Sequence, residues 1–164
     1  MARVASRRVF RRLGDASGNT LLEAAIITPL LLLLTFSIVD FASLFYVYLA
    51  LENGVSQATR YGVTGNLMDD PANPGSQLSR ADSIKTAMRQ ATPSLTIADS
   101  AFTFSHLALG GNAWIGGTGG PSDIDKVTVD YTWTFLTPVL RPFFTNGQIH
   151  FTVESAMKNE SRFQ

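Results

Sequence analysis

Residues 24–39 run sixteen positions without a charge around five consecutive leucines, and past Asp40 the apolar character resumes through F-A-S-L-F-Y-V-Y-L-A-L to residue 51. A helix rising about 1.5 Å per residue needs about twenty residues to cross a hydrocarbon core of roughly 30 Å. Residues 24–43 supply them, with Glu23 and Asp40 as the acids near the two ends. These acids are seventeen positions apart, about 25 Å along a helix axis, and at about 100° per residue they point to different faces. They do not pair with each other, and a carboxylate at a membrane edge is costly unless something meets it. Any partner for either acid must therefore come from outside this helix, unless the acid rests at an interface as a simple anchor.

Charge is distributed unevenly around this run. Arg3, Arg7, Arg8, Arg11 and Arg12 all fall in the first twelve residues, whereas from Asn19 onward eight basic residues face twelve acidic ones. Basic residues before a span are held in the cytoplasm, so the arginines predict a cytoplasmic N-terminus and an extracytoplasmic remainder. The mildly acidic body argues against a nucleic-acid binder, whose affinity comes from neutralising phosphates. With no cysteine there is no disulfide, thiolate nucleophile or cysteine metal site.

A removable secretory signal also begins basic and turns apolar, but it is cut at an A-x-A-like site after its apolar region, and here the run continues through Phe41, Leu44, Phe45, Tyr46, Val47 and Tyr48 without one. S-R-R-V-F at residues 6–10 has the opening of a twin-arginine export signal. Arg11 and Arg12 stand where that motif favours leucine and lysine, and the apolar run is longer than such a signal carries.

A basic leader ending in glycine, followed by an apolar helix with glutamate five positions on, resembles a type IV prepilin processing site. More narrowly, G-N-T-L-L-E-A-A-I-I-T-P-L-L-L-L-L-T-F-S-I-V-D-F and the following L-E-N-G-V-S-Q-A-T-R-Y-G resemble TadE-like pseudopilins of tight-adherence (Tad) pilus systems. The features that match are Glu23, Pro29, the leucine run, Asp40-Phe41 and residues 53–60; Gly54 stands where alanine is commoner in the family. The resemblance implies a leader over residues 1–18, cut by a prepilin peptidase between Gly18 and Asn19. It implies that Glu23 then pairs with the freed Asn19 amine of its own or a neighbouring subunit, with Asp40 as a second candidate for subunit pairing. Implied partners are the peptidase, other pilin or pseudopilin subunits, the Tad assembly machinery and the lipid bilayer, with no nucleic acid and no small-molecule substrate. The implied location is a bacterial inner membrane with the C-terminal domain in the periplasm. Major subunits of such pili carry little beyond leader and helix, so an outer domain of about 100 residues reads as a minor subunit or assembly factor.

Pro29 lies inside the expected helix, removes a hydrogen bond to the Ala25 carbonyl and should bend the axis. Beyond Asp40 the pattern turns amphipathic, with Leu44, Val47, Tyr48, Leu51, Val55, Ala58 and Gly62 on one stripe. One helix from about Thr20 to Thr64, some 65 Å long, is expected, ended by Gly65. Residues 65–78 read as a loop. S-R-A-D at residues 79–82 has capping-box-like spacing and opens a shorter helix that must stop by Pro93.

The remainder of residues 79–164 reads as strands: A-F-T-F-S-H-L-A-L, then K-V-T-V-D-Y-T-W-T-F with Val127, Val129, Tyr131, Trp133 and Phe135 on one face, then Q-I-H-F-T-V-E-S-A-M with Ile149, Phe151, Val153 and Met157 on one face. The expected fold is α+β and pilin-like: a long helix, a shorter helix, and an antiparallel sheet of three to four strands covered by the outer half of the long helix.

Catalytic signals are missing from the sequence. His106 shares a face with Phe102 and Phe104, which makes it a core or edge histidine, and His150 falls on a polar face. No nucleophile elbow, H-E-x-x-H pair or phosphate loop appears. The glycine-rich stretch 110–120 reads as an interstrand loop. Trp114 gives it a contact option, and Asp123 and Asp125 lack the further oxygen ligands of a calcium loop. The expectation is a protein without cofactor or metal that is an enzyme's substrate rather than an enzyme, a pseudopilin. The alternative is an unprocessed, single-pass anchored module for periplasmic binding or adhesion.

Overall fold

The structure, a computed structural model, describes residues 16–163, with side chains from residue 18 on. Arg3, Arg7, Arg8, Arg11 and Arg12, which carry the expected topology signal, lie outside the described residues. Helix α1 spans Ala16–Gly62 and α2 spans Arg80–Ala91. Strands β1 (Phe102–Leu107), β2 (Trp114–Gly116), β3 (Ile124–Thr134) and β4 (Gln148–Lys158) form one antiparallel sheet in the order β2-β1-β3-β4. The fold is the expected α+β arrangement.

Three details differ from the sequence reading. Helix α1 begins before Gly18, so the glycine does not mark its start. It ends at Gly62, and Gly65 takes a positive φ of 74° just beyond, with the Phe163 ring packed where a Cβ would point. The glycine-rich stretch is not wholly loop, because Trp114, Ile115 and Gly116 pair with Leu107, His106 and Ser105 to add a short edge strand.

Why the sheet has one greasy side is legible in β3. Val127, Val129 and Trp133 are buried, with Tyr131 between them half-buried, while Asp130, Thr132 and Thr134 are exposed. Across the ladder Val129 faces Val153, Tyr131 faces Phe151 and Trp133 faces Ile149, so β4 repeats the same polarity. Leu51, Val55 and Ala58 of α1 and Ile84 and Met88 of α2 close over that face to make the main core. A second cluster of Trp133, Phe135 and Leu140, flanked by Leu44 and Val47 of α1, extends the packing toward residue 40.

Helix α2 starts as its sequence demands. The Ser79 hydroxyl accepts the Asp82 backbone N–H at 3.1 Å and donates to the Asp82 carboxylate at 2.6 Å. These bonds and the Lys85 ammonium hold the Asp82 carboxyl below its ordinary value. Close approach of α2 to α1 depends on two glycines about two turns apart on the side of α1 that faces α2. A Cβ on Gly54 would lie 2.5 Å from Thr92 Cγ2, and one on Gly62 would lie 2.8 Å from Ile84 Cδ1. Glycine at 54 is therefore a packing requirement of this chain. Gly54→Ala should push α2 outward and cost about 1–3 kcal/mol, the usual range for overpacking, read as a lower urea midpoint; an unchanged midpoint would show that α2 yields freely.

Candidate functional site

The long helix divides at Asp40. From Gly18 to Val39 it carries 22 residues whose side chains are exposed except Ser37, which is half-buried, and that length is about 33 Å of axis. This half includes Leu30, Leu31, Leu32, Leu33 and Leu34, all exposed, and no part of the outer domain covers it. Two of its hydroxyls are satisfied inside the helix: Thr35 donates to the Leu31 carbonyl at 2.8 Å and Ser37 to the Leu33 carbonyl at 2.7 Å. Pro29 lies within the continuous helix.

At the start of this half, Gly18 and Asn19 sit within α1 and are exposed, and a Cβ on Gly18 would touch nothing within 4 Å. Glu23 is exposed one turn further on and forms no hydrogen bond or ion pair among the described residues.

Asp40 behaves differently from Glu23. It is fully buried, and its carboxylate accepts the Leu136 backbone N–H at 2.8 Å, the Thr137 backbone N–H at 3.2 Å and the Thr137 hydroxyl. Asp40, expected beside Glu23 as a candidate for subunit pairing, is met within its own chain. Its partners do come from outside the helix, as the facing of the two acids requires, but they belong to the connection after β3 in the same chain. A buried carboxylate holding three donors has little capacity left for a neighbour. The outer domain thus touches α1 from residue 40 onward, so its edge falls at Asp40, before the end of the expected 24–43 span.

The opposite end of the domain is fixed by a second polar cluster, centred on Arg80. Its guanidinium donates to the Gly62 carbonyl at 2.8 Å, to Asp125 at 2.7 Å, to Asn159 at 3.1 Å and to the Gly119 carbonyl. The Phe163 ring lies 4.3 Å from the guanidinium carbon. One side chain thereby ties together the end of α1, the start of α2, the glycine-rich segment, β3 and the stretch after β4. Burial pushes the guanidinium pKa down, and the carboxylates of Asp125 and Asp123 oppose that shift. Asp123 has a role of its own, accepting the Gly120 and Leu109 backbone N–H groups at 2.8 and 3.0 Å, which hold its carboxyl below the ordinary value. Asp123 and Asp125 are therefore committed to backbone donors and to Arg80, the structural alternative to a calcium site.

The sequence reading missed this cluster. Arg80 was visible only as part of a capping sequence, yet Asp125 shares the inward parity of Val127 and Val129, and a carboxylate on that face demands a cation. Trp114 stacks on the Lys126 ammonium at 4.6 Å, and His106 Nδ1 lies 3.1 Å from the Gly117 carbonyl at the sheet edge. His150 is exposed beside Thr132 and Asp130. Among the described residues, no group of three metal-binding side chains occurs.

An uncovered helix long and apolar enough to cross a bilayer, joined to an α+β domain that packs on it from Asp40 onward, fits a helix-anchored membrane protein. Within the helix, residues 18–60 match the family model described as TadE-like protein. The resemblance read from Glu23, Pro29 and Asp40-Phe41 holds over that stretch, which covers most of α1 and none of the sheet, and fits a subunit related to Tad pili. No curated protein and no solved structure matches the chain.

Proposed function

We propose that this protein is a pseudopilin of a Tad-type pilus or secretion apparatus, a minor subunit or assembly factor anchored in the inner membrane with its sheet domain in the periplasm. In this reading it is a substrate of a prepilin peptidase, which cuts after Gly18, and not itself an enzyme. The observation that carries the reading is the contrast between the two acids of the apolar half. Asp40 is satisfied by its own chain, whereas Glu23 stands exposed and unpaired among the described residues, one turn from the Asn19 nitrogen that cleavage would make an amine. An amine and a carboxylate in a low-dielectric bundle of helices attract far more strongly than in water. Removing either leaves the other charge uncompensated.

Gly18 supports the same reading. No packing in the structure calls for a glycine there, since a Cβ would meet open space. A protease must unwind the first turn of α1 to thread the backbone through its cleft, and glycine lowers that cost by about 1 kcal/mol relative to alanine. Past Asp40, exposed Phe45, Tyr46 and Leu49 continue an apolar strip up the outside of α1, which suits helix-to-helix assembly with other subunits.

Intact mass of the protein expressed with and without the peptidase tests the cut. The expected product starts at Asn19, and Gly18→Val should abolish it while the outer domain still folds. Glu23→Ala should be cleaved and inserted at near wild-type levels yet assemble poorly. Recovery of only the uncut chain in the presence of an active peptidase would favour an anchored binding or adhesion module instead, and wild-type pilus numbers in Glu23→Ala would remove the pairing role.

A further inference from the structure

Strand β3 runs alongside the outer half of α1 in the opposite direction, and the two polar clusters fix its ends. Asp125 joins the Gly62 end of the helix through Arg80, and Leu136 joins Asp40. The 22 helical steps from Asp40 to Gly62 cover about 33 Å, and the 11 extended steps from Asp125 to Leu136 cover about 36 Å. The lengths agree, so the connection after β3 lies at the end of the domain nearest the apolar half of α1. There the chain turns through two short 3-10 turns, Arg141–Phe143 and Thr145–Gly147, before β4.

The composition of that connection is unusual for a loop. It reads L-T-P-V-L-R-P-F-F over residues 136–144, and between Asp130 and Glu154 Arg141 is the only side chain charged at neutral pH. Leu140 and Phe144 turn inward onto Phe135, whose ring lies 4.3 Å from that of Phe144. Leu136 and Phe143 do the opposite and stand 60% and 70% exposed. Two large apolar side chains held outward by a satisfied backbone, at the level where the uncovered leucine helix begins, need an apolar surface to meet.

We infer that residues 136–144 form a foot that rests on the outer leaflet of the bilayer, with Leu136 and Phe143 entering the interface and Arg141 facing lipid phosphates. The occupant is lipid because the foot is continuous with the apolar half of α1, and a bilayer around that helix has its surface at Asp40. Arg141 donates Nε–H to the Phe135 carbonyl at 3.0 Å, leaving its other N–H groups without a protein partner among the described residues, and a single cation suits an anionic headgroup layer. The foot and the span together hold the domain at a fixed height and orientation over the membrane. This inference rests on reading the apolar half of α1 as membrane-spanning.

The absence of native cysteine allows a direct test on the full chain. Single variants Leu136→Cys, Phe143→Cys, Leu31→Cys and Leu109→Cys carry an environment-sensitive fluorophore and are reconstituted into vesicles of phosphatidylethanolamine and phosphatidylglycerol. The vesicles contain nitroxide lipids labelled near the headgroup or deep in the acyl chain. The shallow quencher should remove more than half the emission at 136 and 143, the deep quencher should act at 31, and neither should act at 109, which is exposed at the far end of the domain. Quenching at 31 with positions 136 and 143 behaving like 109 overturns the foot and leaves the anchor standing. Positions 136 and 143 shielded from both lipid quencher and aqueous iodide would mean a protein covers them, which also overturns it. No quenching at 31 overturns the anchor and the foot together.

Discussion

Asp40→Ala should destabilise the outer domain by about 2–4 kcal/mol, the range for stripping a buried carboxylate from several donors. The substitution removes the acceptor for the Leu136 and Thr137 backbone N–H groups and for the Thr137 hydroxyl, none of which has another protein partner among the described residues. Trp133 lies in the neighbouring cluster, its ring 4.9 Å from that of Phe135, so its emission in detergent micelles reports the loss as a lower urea midpoint. Asp40→Asn keeps one acceptor oxygen and adds an amide that can donate to the threonine oxygen, and should recover about half of the loss. The defect should also be local: amide exchange at Leu136 and Thr137 should accelerate well before exchange in the Val127 and Val153 region. A wild-type midpoint in Asp40→Ala would mean that the carboxylate does not hold the connection to the helix.

Arg80→Met should be of similar size, about 3 kcal/mol, because it leaves a buried carboxylate with its cation removed. Methionine keeps the stem but strips four acceptors at once: the Gly62 and Gly119 carbonyls, Asp125 and Asn159. Asp125 retains only the Gly119 N–H at 2.7 Å. The guanidinium side chain is 12% exposed, so some solvent screening trims the upper end of the range. Arg80→Lys should recover less than half, since one ammonium cannot reach acceptors on both sides of a planar fork. In a double-mutant cycle with Asp125→Asn, the paired loss should fall short of the sum by more than about 1 kcal/mol. Additive losses would mean that the two side chains act independently and that the cluster is not a clamp.

These two residues also mark the limit of what the sequence makes legible. Local rules sufficed for the elements: the uncharged run gave the apolar helix, S-R-A-D gave a start one residue before α2, and alternation in β3 assigned its faces. They erred where pairing across the fold decides, as at Trp114–Gly116. That three-residue strand has no pattern of its own and exists because β1 offers it an edge. The start of α1 was misplaced because glycine weakens a helix only by about 1 kcal/mol, too little to stop one with strong helix formers following.

The candidate site divides in the same way. Gly18, Asn19 and Glu23 are a linear signal, three residues within six neighbouring positions whose spacing is their meaning, and nothing in the tertiary structure adds a partner to them among the described residues. Asp40 and Arg80 are legible only as charges that must be met. The sequence dictates that a carboxylate in an apolar setting cannot stand alone, because desolvating it costs more than folding can spare. Which donors meet it depends on Leu136 and Thr137 lying 96 and 97 positions away, and on Gly62, Asp125 and Asn159 converging on one guanidinium. By itself the sequence determined the apolar helix, the sheet's greasy face and the likeness to TadE proteins, since periodicity and local spacing carry those. The tertiary structure decided where the uncovered apolar half ends and what closes the domain at each end, because those answers are distances between segments that no local pattern encodes.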